Sequence, residues 1–181
     1  MPRLFVAIDL PDAHQTRLAG LRDDALPGRW TPTQKYHLTL RFIGEVDEDR
    51  VATVEQALAG LQGEAFSLQG RGLGVFPSPR RPRVLFAALD NPPVLLELQA
   101  QVEQALRTLG LDEEPKPFHP HVTLARLRRV DAHTVRAFLG KHQAFTLEPF
   151  EVDRYYLYES VLRREGALHR RRATYRLFTE S

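Results

Sequence analysis

Two tetrapeptides in this chain of 181 residues carry the same two reactive side chains at the same spacing. They are His37-Leu38-Thr39-Leu40 and His121-Val122-Thr123-Leu124, 84 residues apart. In an extended strand, alternate side chains share a face. Each tetrapeptide therefore offers an imidazole and a hydroxyl on one side and two aliphatic groups, fit for a core, on the other. If the two halves of the chain face each other, two His and two Thr line one groove. An unperturbed imidazole titrates near pH 6.5, so one can be neutral while its partner is protonated. The neutral ring can take a proton from water and the protonated ring can give one to a departing alkoxide. Positioned groups of this kind contribute about 10²–10⁴-fold each. The Thr hydroxyls are neutral donors suited to phosphoryl oxygens. Such a site needs no metal and no covalent intermediate.

The elements that must position these residues also repeat. Arg3-Leu4-Phe5-Val6-Ala7-Ile8-Asp9-Leu10-Pro11 resembles Arg83-Val84-Leu85-Phe86-Ala87-Ala88-Leu89-Asp90-Asn91-Pro92, and Ala65-Phe66-Ser67-Leu68 recurs as Ala144-Phe145-Thr146-Leu147. Landmarks in one order at nearly one offset predict two related halves, approximately 1–82 and 83–181, within a single bilobal domain over 1–181. Apolar positions at 3–4 spacing predict helices over about 12–25, 47–61, 94–109 and 131–139. β-Branched and aromatic runs predict strands before and after them. Short connections and mixed order predict an α+β fold with antiparallel sheets. The Gly-, Pro- and Arg-rich stretch 70–83 and the Arg-rich stretch 163–172 read as solvated connectors.

Composition bounds the class. Hydrophobic residues make up 43% and charged residues 27%, as in an ordinary globular protein. No run of eighteen apolar residues is present, which argues against a membrane helix. Cysteine is absent, so disulfides, thiolate nucleophiles and cysteine-ligated metals are excluded. With no signal-peptide pattern at the N-terminus, a cytoplasmic location is expected. The net charge is only +2, although 22 of the 25 basic residues are Arg. Arg suits bidentate phosphate recognition, and its abundance also follows from a GC-rich genome.

With these motifs the chain resembles the 2H phosphoesterases, and within them the bacterial and archaeal RNA 2′,3′-cyclic phosphodiesterases, also known as 2′-5′ RNA ligases. The resemblance covers almost the whole chain. It runs from Arg3–Asp9 through Trp30, the His37–Gly44 stretch, Gly74-Val75-Phe76-Pro77 and Pro82-Arg83-Val84-Leu85, to Phe118-His119-Pro120-His121-Val122-Thr123-Leu124-Ala125-Arg126. It implies two pseudo-symmetric lobes with antiparallel sheets flanked by helices, and an active-site cleft between them. It implies hydrolysis of RNA 2′,3′-cyclic phosphate ends to 2′-phosphomonoesters, with His37 and His121 as the acid–base pair. Thr39 and Thr123 would hold the phosphate, and Arg126 would add a cationic contact. No cofactor and no metal are implied. The partner is RNA with a 2′,3′-cyclic phosphate terminus, with no membrane and a monomeric chain expected.

Strict alternation puts Arg126, five residues after His121, on the wrong face. Either the strand twists or bulges, or the chain has left the strand and Arg126 reaches back. Trp30 reads as core packing rather than a base-stacking platform. Phe118 flanks the site or packs in the core, His119 reads as structural, and Arg80, Arg81 and Arg83 as either RNA-tracking or solvated. Other functional readings remain open. The same site run in reverse would join a cyclic phosphate end to a 5′-hydroxyl. A non-catalytic RNA-end binding module would keep the groove without needing both imidazoles. A His-ligated metallohydrolase is disfavoured because neither motif carries an acidic neighbour.

Overall fold

A computed structural model describes residues 1–112 and 115–179. Its elements are β1 (Arg3–Asp9), α1 (Asp12–Ala19), β2 (Gly28–Trp30), a 3-10 turn (Thr33–Lys35), β3 (His37–Glu45), α2 (Glu48–Ala59), β4 (Phe66–Ser78), β5 (Arg81–Leu89), α3 (Pro93–Thr108), β6 (His121–Leu127), α4 (Ala132–Lys141), β7 (Thr146–Val152), β8 (Arg154–Arg163) and β9 (Gly166–Arg176). The architecture is α+β, as expected. Four strands form one sheet in the order β3-β1-β8-β9, and five form a second in the order β2-β6-β5-β4-β7. All pairings between these strands are antiparallel. Each sheet draws strands from both halves of the sequence. β1 and β3 are completed by β8 and β9, while β5 and β6 are flanked by β2, β4 and β7.

The helices form because their apolar residues fall on one stripe. Leu95, Leu98, Val102 and Leu106 are the buried residues of α3, and Val51, Val54 and Leu58 those of α2. Pro93 opens α3, where its missing N–H costs nothing. Asp131 caps α4 by accepting from the Thr134 amide at 2.7 Å. The hydroxyls of Tyr155 and Tyr175 donate to the carbonyls of Leu58 and Glu55, at 2.6 and 3.0 Å, tying β8 and β9 to α2. β1 is apolar on both faces. Leu4, Val6 and Ile8 enter the main core, while Phe5 and Ala7 face the other way and join Tyr156 and Tyr158 in a separate cluster. That second cluster floors the cleft.

The structure corrects three expectations. α1 ends at Ala19, not near residue 25, because Gly20 stops it and Asp23 then closes a turn on the Ala25 amide at 2.9 Å. The stretch 70–83 is no loose connector. It is the rest of β4 and the start of β5, joined in a tight hairpin. Gly74 serves close packing, since a Cβ there would lie 2.5 Å from the Phe86 ring. The stretch 163–172 is likewise the end of β8, a turn and most of β9. Arginines survive in that strand because Arg171 and Arg172 find carboxylate partners in Asp9, Glu48 and Glu159.

Candidate active site

β3 begins at His37 and β6 begins at His121, and the two strands lie beside each other where the sheets meet. In both, the His and Thr are half-buried on the cleft side, and the two aliphatic neighbours are buried in the core. The structure therefore brings His37, Thr39, His121 and Thr123 to one cleft. Thr31 fastens the second motif, its hydroxyl donating to the Thr123 carbonyl at 3.0 Å and its amide to the Leu124 carbonyl at 2.8 Å.

A β-bulge follows each motif at the same place. Thr39 pairs with Ala7 and Arg41 with Val6, which leaves Leu40 unopposed. Thr123 pairs with Phe86 and Ala125 with Leu85, which leaves Leu124 unopposed. An extra residue reverses the alternation. Leu40 and Arg41 are both buried, as are Leu124 and Ala125. The next residue returns to the cleft face: Phe42 after the first motif, Arg126 after the second. Of the alternatives left open by the sequence, the bulge is the one that occurs. The two sides of the cleft thus differ, with an exposed phenyl ring (58%) at the position matched by an exposed guanidinium across from it.

The His37 ring stacks on Phe5 with centroids 5.2 Å apart, and the His169 ring lies 5.5 Å away, edge-on. Asp9 is the cross-strand partner of His37. Asp9 accepts from the Tyr158 hydroxyl at 2.7 Å and from Arg171, whose Nε also donates to the Tyr158 oxygen at 3.1 Å. A polar recess of about 480 Å³ opens here, lined by Asp9, Gln15, Gln34, Tyr156, Tyr158 and Arg171 among others. On the other side, His121 sits edge-on to Phe76 and Phe86, at 5.2 and 5.5 Å. Its Nδ1 lies 2.6 Å from the His119 carbonyl oxygen. A carbonyl only accepts, so Nδ1 carries the proton and Nε2 of the neutral ring is left with its lone pair. The Lys35 carbonyl, also two residues upstream, acts on His37 in the same upward direction as the His119 carbonyl acts on His121.

Burial pulls the His37 pKa down to about 4, aided by His169 and opposed by Asp9 and the Lys35 carbonyl; His121 exerts a small further downward pull. That last effect is the electrostatic trace of the two motifs lying close together. His121 is also lowered by burial, with its bond to His119 acting upward. Both rings are therefore neutral at pH 7 in the free protein. The unfolded His37 takes a proton near pH 6.5, the folded one only near 4, so protons favour the unfolded chain in between. Stability from this group is complete above pH 6.5 and is lost as pH falls towards 4. The effect is on the order of 3 kcal/mol. Urea unfolding at pH 7 and pH 4.5 should show a larger loss for the native chain than for His37→Gln. Equal losses would contradict this environment for His37.

Asp9, Tyr158, His169 and Arg171 escaped the sequence reading. Asp9 on β1 lies far in the chain from the β8–β9 hairpin that carries the other three, and Arg171 and His169 fall in the stretch read as a connector. The i, i+2 spacing of His169 and Arg171 was the one available signal. Trp30 is buried, as expected, with its indole N–H on the Leu26 carbonyl at 3.2 Å. Phe118 packs against the core, and His119 serves as the carbonyl that orients His121.

The LigT-like phosphoesterase family model matches residues 8–86 and 89–169 of this chain. The chain belongs to the LigT-like phosphoesterases. A family relative, an RNA 2′,3′-cyclic phosphodiesterase of Aeropyrum pernix, is 35% identical over 160 residues, 85% of this chain and 91% of the relative. Among solved LigT-like structures, E. coli LigT complexed with 3′-AMP superposes with a TM-score of 0.79 at 25% identity, covering 98% of this chain and 99% of that one. A protein of Thermus thermophilus superposes with a TM-score of 0.80, also at 25% identity, over 99% and 100% of the two chains. Among the described residues of this LigT-like chain, no helix is long and apolar enough to cross a membrane. Nor do three or more His, Asp or Glu side chains among them come together to hold a metal ion.

Proposed function

We propose that this chain hydrolyses the 2′,3′-cyclic phosphate at an RNA end to a 2′-phosphomonoester, with His121 as general base and His37 as general acid. The observation that carries the reading is the matched pair of strands, each with His and Thr in phase and each followed by a bulge at the same place. The relatives named as RNA 2′,3′-cyclic phosphodiesterases support it. Thr39, Thr123 and Arg126 hold the non-bridging oxygens, hydroxyls as neutral donors and the guanidinium as a charge-assisted one. Nε2 of His121 removes a proton from water as the water oxygen attacks phosphorus. The bond from phosphorus to O3′ breaks, and His37 protonates that oxygen to give the 3′-hydroxyl. The phosphate stays on O2′. His37 is neutral in the free protein, and the anionic phosphate, together with Asp9, favours its charged form in the complex. The exposed face of Phe42 offers a surface on which a base can stack.

The test is incubation with 2′,3′-cyclic AMP and with a short RNA ending in a 2′,3′-cyclic phosphate, both in EDTA. The expected product carries a 2′-phosphate, and the rate is insensitive to the chelator. A 3′-phosphate product, or loss of activity in EDTA, would overturn the mechanism. Joining of the cyclic end to a 5′-hydroxyl RNA at the expense of hydrolysis would favour the reverse reaction.

A further inference from the structure

β2 is only three residues long, and the way it is seated draws attention to its middle residue. Gly28 has φ +149, and a Cβ there would lie 2.2 Å from the Arg126 carbonyl oxygen. Only glycine permits β2 to approach β6 this closely. Trp30 anchors the other end of β2 in the core, edge-on to Phe138. Between them, Arg29 is the direct cross-strand partner of Arg126. Residues directly opposed in an antiparallel pair share a face, with Cα atoms about 4.5–5.5 Å apart. Trp30 takes the buried face, so Arg29 takes the cleft face, in phase with Arg126, Thr123 and His121. Both arginines are exposed, and among the described residues neither side chain forms a hydrogen bond or ion pair. Like charges directly opposed destabilise a sheet. The fold thus holds two guanidiniums side by side at one end of the cleft with no protein anion between them.

We infer that Arg29 is a second phosphate-binding residue, which holds the phosphodiester on the 5′ side of the nucleoside that bears the cyclic phosphate. The inference rests on the reading of the cleft given above. Arg126 reaches back along β6 towards Thr123 and the reacting phosphate. Arg29, one strand further out on the same face, is placed for the next anion along a single strand. A free nucleoside 2′,3′-cyclic phosphate has no such anion, whereas a dinucleotide ending in a cyclic phosphate has one. The residue therefore makes the site prefer an oligonucleotide end to a free cyclic nucleotide.

The experiment compares kcat/KM for a cyclic mononucleotide and for a dinucleotide ending in a 2′,3′-cyclic phosphate, in the native chain and in Arg29→Glu and Arg29→Lys. A charge-assisted contact is worth about 1.5–3 kcal/mol. The ratio of dinucleotide to mononucleotide kcat/KM should fall at least about tenfold in Arg29→Glu. Arg29→Lys should keep most of the preference, and the salt dependence of dinucleotide kcat/KM should weaken in Arg29→Glu by a slope of about 0.7. An unchanged ratio, or equal loss on both substrates, would overturn the assignment. Binding of a dinucleotide with a terminal 2′-phosphate, followed by calorimetry, separates the two readings. If the native chain binds it, Arg29→Glu binds it at least about tenfold more weakly and no cyclic phosphate is hydrolysed, the subsite stands and the hydrolase reading fails. If the native chain hydrolyses both substrates with no preference and Arg29→Glu binds the dinucleotide normally, the hydrolase reading stands and the subsite fails.

Discussion

Replacing either His37 or His121 with alanine is expected to cut turnover of a 2′,3′-cyclic phosphate by at least about 10²-fold while leaving the fold intact. Both rings are half-buried on the cleft side, away from the main core, so their loss opens space towards solvent rather than a void in packed hydrocarbon. The two effects should not add. Once the base is missing, the water is not activated and the acid has no departing alkoxide to protonate, so the double variant should be little slower than either single one. The native chain should show a bell-shaped pH profile, whose limbs belong to the coupled pair rather than to either ring alone. Each alanine variant should lose one limb, and the limb lost assigns acid and base. Steady-state kinetics with circular dichroism as a folding control makes the measurement. Near-native turnover in either variant would end the two-histidine scheme.

The second large effect concerns stability. Arg41 is only 4% exposed, and its Nε lies 2.9 Å from a Glu103 carboxylate oxygen on α3. A second nitrogen donates to the Phe42 carbonyl, and Nη2 is buried with no partner among the described residues. Glu103→Gln removes the charge that compensates a guanidinium cut off from water, and breaking a buried pair this way costs about 3–5 kcal/mol. Replacing both partners together, Arg41→Met with Glu103→Leu, should cost far less, because no charge is left behind. Urea unfolding of the three chains separates the cases. Glu103→Gln within about 1 kcal/mol of native would mean that the pair is solvated rather than buried. Arg41 also lies next to the bulge of β3, between Leu40 and Phe42. Losing its anchor should loosen the phase of Thr39 and Phe42, and activity should fall before the fold does.

The sequence and the structure agree where a local pattern decides the outcome. The alternation His-aliphatic-Thr-aliphatic needs only the pleat of a strand, and both motifs sit in strands. The stripe Leu95, Leu98, Val102, Leu106 needs only the pitch of a helix, and α3 follows it. The misreadings arise where tertiary contacts override composition. Glycine at 74 reads as a breaker until the Phe86 ring is seen lying against it. The run Arg170-Arg171-Arg172 would read as solvent-facing until Asp9, Glu48 and Glu159 are brought beside its last two members from other elements. The bulges are the hardest case. The phase of Arg126 raises a bulge in β6 only as one of two alternatives, since the register is set by β5 alongside. The half-buried Asp9–Tyr158–Arg171 group spans some 160 residues of chain and leaves no local mark, although it lies beside the His37 imidazole.

The exchange of strands between the sheets has a consequence for biosynthesis. β1 and β3, with His37 already in place, leave the ribosome early, but their sheet lacks β8 and β9 until residue 176 has been made. At about 5–20 residues per second, the free side of β1 waits on the order of ten seconds for its partner. During that interval its unpaired backbone and the Phe5–Ala7 face are open to wrong partners. Translation speed and chaperone supply should therefore govern the yield of soluble chain more strongly than its final stability does.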